Sequence, residues 1–295
     1  MTQSSPAPFA GPIRILDTAP AAGTGESPVW DEALGLLWWV DIPGQALHRT
    51  DPATGETRTW SMPEPVGCLG LCRSGTLLLG LRSGIHRFDP KDTSLYRVAA
   101  PEPDRPENRL NDGKVSPEGR FLVGSMHDVP EKQPTAALWS LSPGERTCTL
   151  LADGFTISNG LAWSPDGRTL WHSCTRQSVI WNWDYDPITG AISNQREVAR
   201  PTAEIGRPDG GAVDVEGAYW SAGVSAGRLN RWLPDGTLDR FVELPVRSPT
   251  MPCFGGPELR TLFVTSLQKE TGPHDGRLIA LDVGIAGTPV GCFAD

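Results

Sequence analysis

Apolar residues in this chain fall in short runs, alternating or continuous, and each run is closed by a cluster of Gly, Pro, Asp, Asn or Ser. No window keeps a 3.6-residue apolar period over a dozen positions, so the pattern predicts short strands and turns rather than helices. The runs also recur. Six segments share one plan, an apolar strand, a turn and a second apolar strand: residues 27–41, 67–81, 111–126, 159–174, 209–223 and 252–266. Their turns lie near Gly35, Gly75, Gly119, Gly167, Gly217 and Arg260, a step of about 45 residues, the length of one four-stranded propeller blade. Between them lie more polar strand-turn-strand pieces such as ALHRTDPATGETRTW and RLNRWLPDGTLDRFVEL, suited to outer strands. The pattern predicts an all-β, six-bladed β-propeller with four-stranded antiparallel blades around a central channel. Residues 1–12 are expected to be a flexible segment, and 13–295 a single domain.

Composition supports this. The 33 Gly and 28 Pro without a G-X-Y period mean many turns, and the 11 Trp against 3 Tyr supply rigid core aromatics. A formal charge of -9 with no Lys/Arg run argues against a nucleic-acid or anionic-membrane partner. With no signal-peptide pattern and no long apolar span, a cytoplasmic protein, monomeric or weakly homo-oligomeric, is expected. Six cysteines in so long a chain form no disulfide framework and are read as reduced. Gly223 to Gly227 reads G-x-S-x-G, but no helix follows, so a nucleophile elbow is not supported.

In a propeller, the position just before each innermost strand faces the channel mouth, so residues remote in sequence become neighbours. Counting back about eight residues from each turn gives Glu26, one residue adrift, then Gly67, Asn111, Asn159, Asp209 and Pro252. Taken singly, Asn and Asp beside Gly are ordinary turn acceptors. Four carboxylates or amides at one level point instead to a site. Glu26, Asn159 and Asp209 offer oxygen ligands only, with two negative charges, which suits one divalent cation (Ca, Mg, Mn, Fe or Zn). Arg109 adds a cation beside Asn111, although it could pair with Glu107. Asp112 is either a turn residue or a base, and His127 and Asp128 follow the second strand toward the same rim.

The fragments GESPVW, WVDI, GIHRF, NRLNDG, GSMHD, SNG, SPDG, PDGG and CFGG, spread from Glu26 to Phe263, together resemble the gluconolactonase/regucalcin-like (senescence marker protein) family of six-bladed propeller sugar lactonases. The GSMHD and CFGG forms are more similar to its bacterial aldonolactonases. The resemblance implies that Glu26, Asn159 and Asp209 bind a metal while Arg109 and Asn111 grip a sugar lactone. It also marks a departure: vertebrate members carry a substrate-contacting glutamate where His127 and Asp128 stand here. The expected reaction is metal-assisted hydrolysis of an aldonolactone to the aldonic acid, with Asp209, or secondarily Asp112, as general base. The rival readings are a phosphotriesterase on the same scaffold and a non-enzymatic calcium-binding propeller.

Overall fold

The computed structural model describes residues 7–8, 11–268 and 272–295. Six antiparallel sheets succeed one another along the chain as blades I to VI, and the expected propeller is present. The innermost strands are Gly25–Asp31, Val66–Leu71, Asn108–Val115, Ser158–Trp163, Pro208–Val213 and Pro249–Gly255. Each packs beside the next, and the last beside the first, so they ring a central channel. Blades I to V each take four strands in chain order, and Ala7–Pro8 adds a parallel strand to the edge of blade V. Blade VI is composite: Ile13–Ile15 pairs with Ile279–Asp282 and closes the ring. The segment expected to be flexible, 1–12, lies for the most part outside the described residues.

Burial explains the pattern read from the sequence. The strands Val66–Leu71 and Phe121–His127 are buried throughout because sheets cover both faces, whereas the outer strand Thr57–Ser61 buries little beyond Trp60. Aromatics fill the wedges between blades. Trp38 stacks on Trp60 at 5.3 Å, and Trp171 on Tyr219 at 4.9 Å. Fully burying such a ring contributes roughly 1.5–3 kcal/mol or more. Close approach at the channel requires glycine at two places. A Cβ on Gly67 meets the carbonyl oxygens of Leu110 and Asn111 at 2.5 and 2.7 Å, and one on Gly210 meets Met251 at 2.3 Å.

Every innermost strand carries a β-bulge near the same end. Glu26 pairs with Val40 but Val29 with Trp38, so one residue is extra; the equivalent slip falls after Val66, Leu110, Asn159, Pro208 and Pro249. A bulge re-aims side chains out of strict alternation. The ladder also corrects the register count in blade VI. Pro252 pairs with Val264 below the bulge, so the level assigned to it falls earlier, at Pro249 or Thr250. The turn there is a 3-10 turn, Pro257–Leu259, whose glycine, Gly256, lies ahead of it, so a count started at Arg260 arrives two or three residues late.

The chain's last segment crosses the opposite end of the channel. Val215 N donates to Ala286 O at 3.0 Å, Phe293 N to Leu71 O at 2.7 Å and Ala294 N to Gly119 O at 3.3 Å. Gly223 ends one strand of a hairpin and Arg228 begins the next, so the G-x-S-x-G text is a turn. The six cysteines are free thiols. Among the described residues no helix is long and apolar enough to cross a membrane.

Candidate active site

The bulges turn a connected set of polar side chains into the channel mouth. Arg109 Nη1 donates to Asn111 Oδ1 at 2.9 Å, and Asn111 Nδ2 donates to Asn159 Oδ1 and to Ser158 O, both at 3.0 Å. Asn159 Nδ2 then donates to Asp209 Oδ1 at 2.6 Å and to Thr175 Oγ1 at 2.7 Å. One chain of hydrogen bonds thus crosses blades III, IV and V. Relative to the first paired residue below each bulge, Glu26 and Asn159 stand three residues back from Val29 and Ala162, whereas Asn111 and Asp209 stand two back from Gly113 and Gly211. The extra residue lets either neighbour reach the mouth.

Three carboxylates are buried here: Glu26 at 9%, Asp112 at 3% and Asp209 at 8% exposure. Glu26 accepts from Ser27 N at 3.1 Å. Burial first, then the charges of Asp209 and Asp112, hold its carboxyl well above the usual range, while Ser27 N and Arg109 pull it back. Asp209 is raised by burial and by Asp112, against Arg207 and Arg109. Asp112 is raised by burial and drawn down by Lys114 and by the amides of Leu161, Gly160 and Gly113. Its Oδ2 accepts from Leu161 N at 3.0 Å, and its Oδ1 is buried without a partner. Lys114, itself buried, donates from Nζ to Gly211 O at 2.6 Å, and its charge opposes the effect of burial on Asp112.

Among the described residues no group of three or more His, Cys, Asp and Glu side chains is gathered around one point. The mouth instead offers two carboxylates and an amide, an all-oxygen set with negative charge in excess, and the raising of Glu26 by the Asp209 charge is what a cation would relieve. The donor chemistry therefore fits a hard divalent ion. Asn159 presents Nδ2, not Oδ1, to Asp209.

Of the residues expected at the site, Arg109, Asn111, Asn159 and Asp209 are joined directly, and Glu26 and Asp112 are coupled to them by charge. Asp128 stands at the rim, with Arg109 Nε 3.6 Å away and Arg82 in a close ion pair. That pairing replaces the Arg109–Glu107 alternative. Glu107 binds His127 Nε2 at 3.1 Å, while His127 Nδ1 accepts from Gln133 N at 2.8 Å. The His127 ring is thereby held on a side cavity of about 570 Å3 with Asp104, Thr135 and Asp153, not on the cluster. His172 is a packed strand residue: its Nε2 meets Ser158 Oγ at 2.8 Å, and burial pushes it down to about 3. Sequence reasoning missed Thr175, Lys114 and Arg82. Lys114 carried a usable signal, two residues past Asp112 on one strand; Thr175 and Arg82 lie in turns and carried none.

A six-bladed propeller whose axial mouth gathers buried carboxylates, amides and an arginine is a scaffold with one central polar site. Within that class the chain belongs to the SMP-30/Gluconolactonase/LRE-like family, which matches residues 24–268. It is 37% identical over 279 residues to a 6-deoxy-6-sulfogluconolactonase of Pseudomonas putida, covering 92% of this chain and 94% of that one. It is 36% identical over 284 residues to a regucalcin of Xenopus laevis, with the same coverage of 92% and 94%. Among solved structures, a calcium-binding protein, regucalcin, from Agrobacterium tumefaciens superposes with a TM-score of 0.90 at 28% identity, covering 98% of this chain and 99% of that one.

Proposed function

We propose that this chain is a cation-dependent hydrolase that opens a sugar aldonolactone to its aldonic acid. The observation that carries the reading is the set of buried, raised carboxylates at a mouth also furnished with N–H donors from Arg109, which Asn111 holds in place. The likeness to a sulfogluconolactonase supports the same class of substrate. Glu26, Asp209 and Asn159 would hold the ion, Asn159 after a half-turn of its amide brings Oδ1 forward. When bound, a divalent cation supplies a Lewis acid for the lactone carbonyl and offsets charge developing on its oxygen.

The chain's own groups do the rest. Arg109, fixed by Asn111 and Asp128, presents its remaining N–H groups to ring hydroxyls and sets the ring's orientation. Asp209 accepts the proton of the attacking water, standing at the mouth and less deeply buried than Asp112. Asp112 and Lys114 lie beneath and keep the local charge in place. The ring oxygen leaves with a proton as the acid forms, so no covalent enzyme intermediate is needed.

The test is a pH-stat screen of pentono- and hexono-lactones on chelator-treated protein, with Ca, Mg, Mn, Fe and Zn added back singly. Hydrolysis restored by one cation in wild type, and absent in Glu26→Gln with that cation, is the expected result. Cation-independent hydrolysis, or full activity in Glu26→Gln, overturns the site assignment. The second reading, a calcium-binding propeller without catalysis, draws on the solved calcium-binding relative. Tight calcium binding with no lactone turnover selects it.

A further inference from the structure

The proposed chemistry uses one side of Arg109; the other side faces a groove that runs outward across the same end of the propeller. This groove has a volume of about 290 Å3 and lies between the Arg82–Ser83 turn of blade II and the 100–107 loop leading into blade III. Arg82, Arg97, Arg105 and Arg109 all line it, and Glu102 is the one carboxylate in its wall. Asp128 bridges Arg82 and Arg109 at the inner end. Four guanidinium groups against two carboxylates leave the groove positive, on a chain whose formal charge is -9.

The acidic groups nearby are already engaged. Glu102 accepts from Ser125 Oγ at 2.9 Å, Trp139 Nε1 at 3.0 Å and Asn108 Nδ2 at 2.9 Å, with Arg105 3.6 Å away. Glu64, outside the lining, is taken up by the backbone N and Oγ of Ser83. The cations are less fully spent. Arg105 commits Nη1 to Thr135 O at 2.6 Å and Arg82 commits Nη2 to Asp128, so each keeps further N–H donors. Arg97, on the outer strand Leu95–Ala99, is exposed, and its side chain has no hydrogen-bond or ion-pair partner among the described residues. Small-molecule sites usually fall at roughly 300–1,000 Å3, so this groove has room for a substituent rather than a second molecule.

We propose that the groove is an anion subsite for an oxyanion, phosphate, sulfonate or carboxylate, borne at the end of the substrate remote from the lactone carbonyl. The inference rests on the lactonase reading, because Arg109 is the residue through which one bound lactone spans both the mouth and the groove. Arg82, Arg97 and Arg105 then act as specificity determinants, favouring acidic aldonolactones over neutral ones.

The test compares kcat/KM for a neutral hexonolactone with that for the same lactone carrying a 6-phosphate or a 6-sulfonate, in wild type, Arg97→Ala and Arg97→Glu. The neutral lactone is the internal reference, so a general loss of activity cancels in the ratio. Wild type is expected to favour at least one charged lactone by roughly tenfold or more. Arg97→Ala reduces that ratio about fivefold, its side chain being exposed, and Arg97→Glu reduces it further. Which charged lactone is preferred identifies the oxyanion. Equal turnover of neutral and charged lactones by wild type, or a ratio untouched by Arg97→Glu, overturns the subsite. If no lactone is hydrolysed, the lactonase reading fails and the groove is judged by calorimetric titration with 6-phosphogluconate. Binding by wild type that Arg97→Glu weakens keeps the subsite, and absent or equal binding overturns it.

Discussion

Removing the Asp209 charge should stabilise the metal-free protein while destroying the proposed activity. Burial, reinforced by Asp112, pushes the Asp209 carboxyl from 3.8 up to about 8. A group raised on folding contributes stability that is complete below its unfolded value and is lost as pH rises toward the folded one. At pH 7 the fold must therefore hold on Asp209 a proton that the unfolded chain has released, which costs on the order of 4 kcal/mol of stability. Because the charge is shared with Glu26 and relieved by relaxation around it, about half of that is the expected gain from Asp209→Asn. Asparagine retains an oxygen for the Asn159 Nδ2 donor. At roughly 2–4 °C per kcal/mol for large domains, the variant melts about 4–8 °C above wild type at pH 7–8, and the gap narrows toward pH 4. Circular-dichroism melts of chelator-treated protein across that pH range read it directly. A saturating cation, near a hundred times its Kd, adds about 2.7 kcal/mol to wild type and little to the variant. A variant that melts at or below wild type at every pH, or one that gains as much from the cation, refutes the electrostatic account of the mouth.

The remaining predictions concern the surrounding residues. Arg109→Ala removes the donor that fixes Asn111 and meets the substrate; KM should rise roughly ten- to hundredfold with a smaller change in kcat, measured by steady-state hydrolysis. Gly67→Ala forces a methyl against the backbone of Leu110 and Asn111, so denaturant melts should show a loss of about 1–3 kcal/mol together with reduced turnover. Lys114→Met strips Asp112 of the cation that draws its carboxyl down and leaves Gly211 O unpaired. It should cost about 3 kcal/mol at pH 8 and less as the pH falls, since protonating Asp112 removes the unpaired charge, as a pH series of melts would show.

The architecture was readable because turn glycines recur at blade spacing and because the second strand of a blade, covered on both faces, becomes a largely apolar run, as in Leu36–Asp41 and Leu77–Leu81. Glu26, Asn111, Asn159 and Asp209 were readable because ring geometry equates positions about 45 residues apart. Counting became unreliable where the backbone departs from regular pairing. In blade VI the 3-10 turn moved the register from Pro252 back to Pro249 or Thr250. The bulges also hide which of two adjacent residues faces the channel, since they break the two-residue alternation on which side-chain direction is inferred. His127 illustrates a further limit. Its place after a strand suggested the rim, but Glu107 and Gln133, brought by separate loops, turn the ring to another cavity. Spacing holds no information about such partners.

Blade VI, made from Ile13–Ile15 and three strands near the other end of the sequence, has a consequence for synthesis on the ribosome. Glu26 emerges early, and Arg109, Asn159 and Asp209 follow, but their mutual positions depend on a closed circle. At roughly 5–20 residues per second, the nascent chain waits on the order of 15–60 s for the strand that receives Ile13–Ile15. Until then the first and last innermost strands lack each other as neighbours, and the mouth has no fixed diameter. Cation or lactone binding by a ribosome-tethered chain would therefore switch on late and abruptly, reporting the moment of circularisation rather than the appearance of any single ligand.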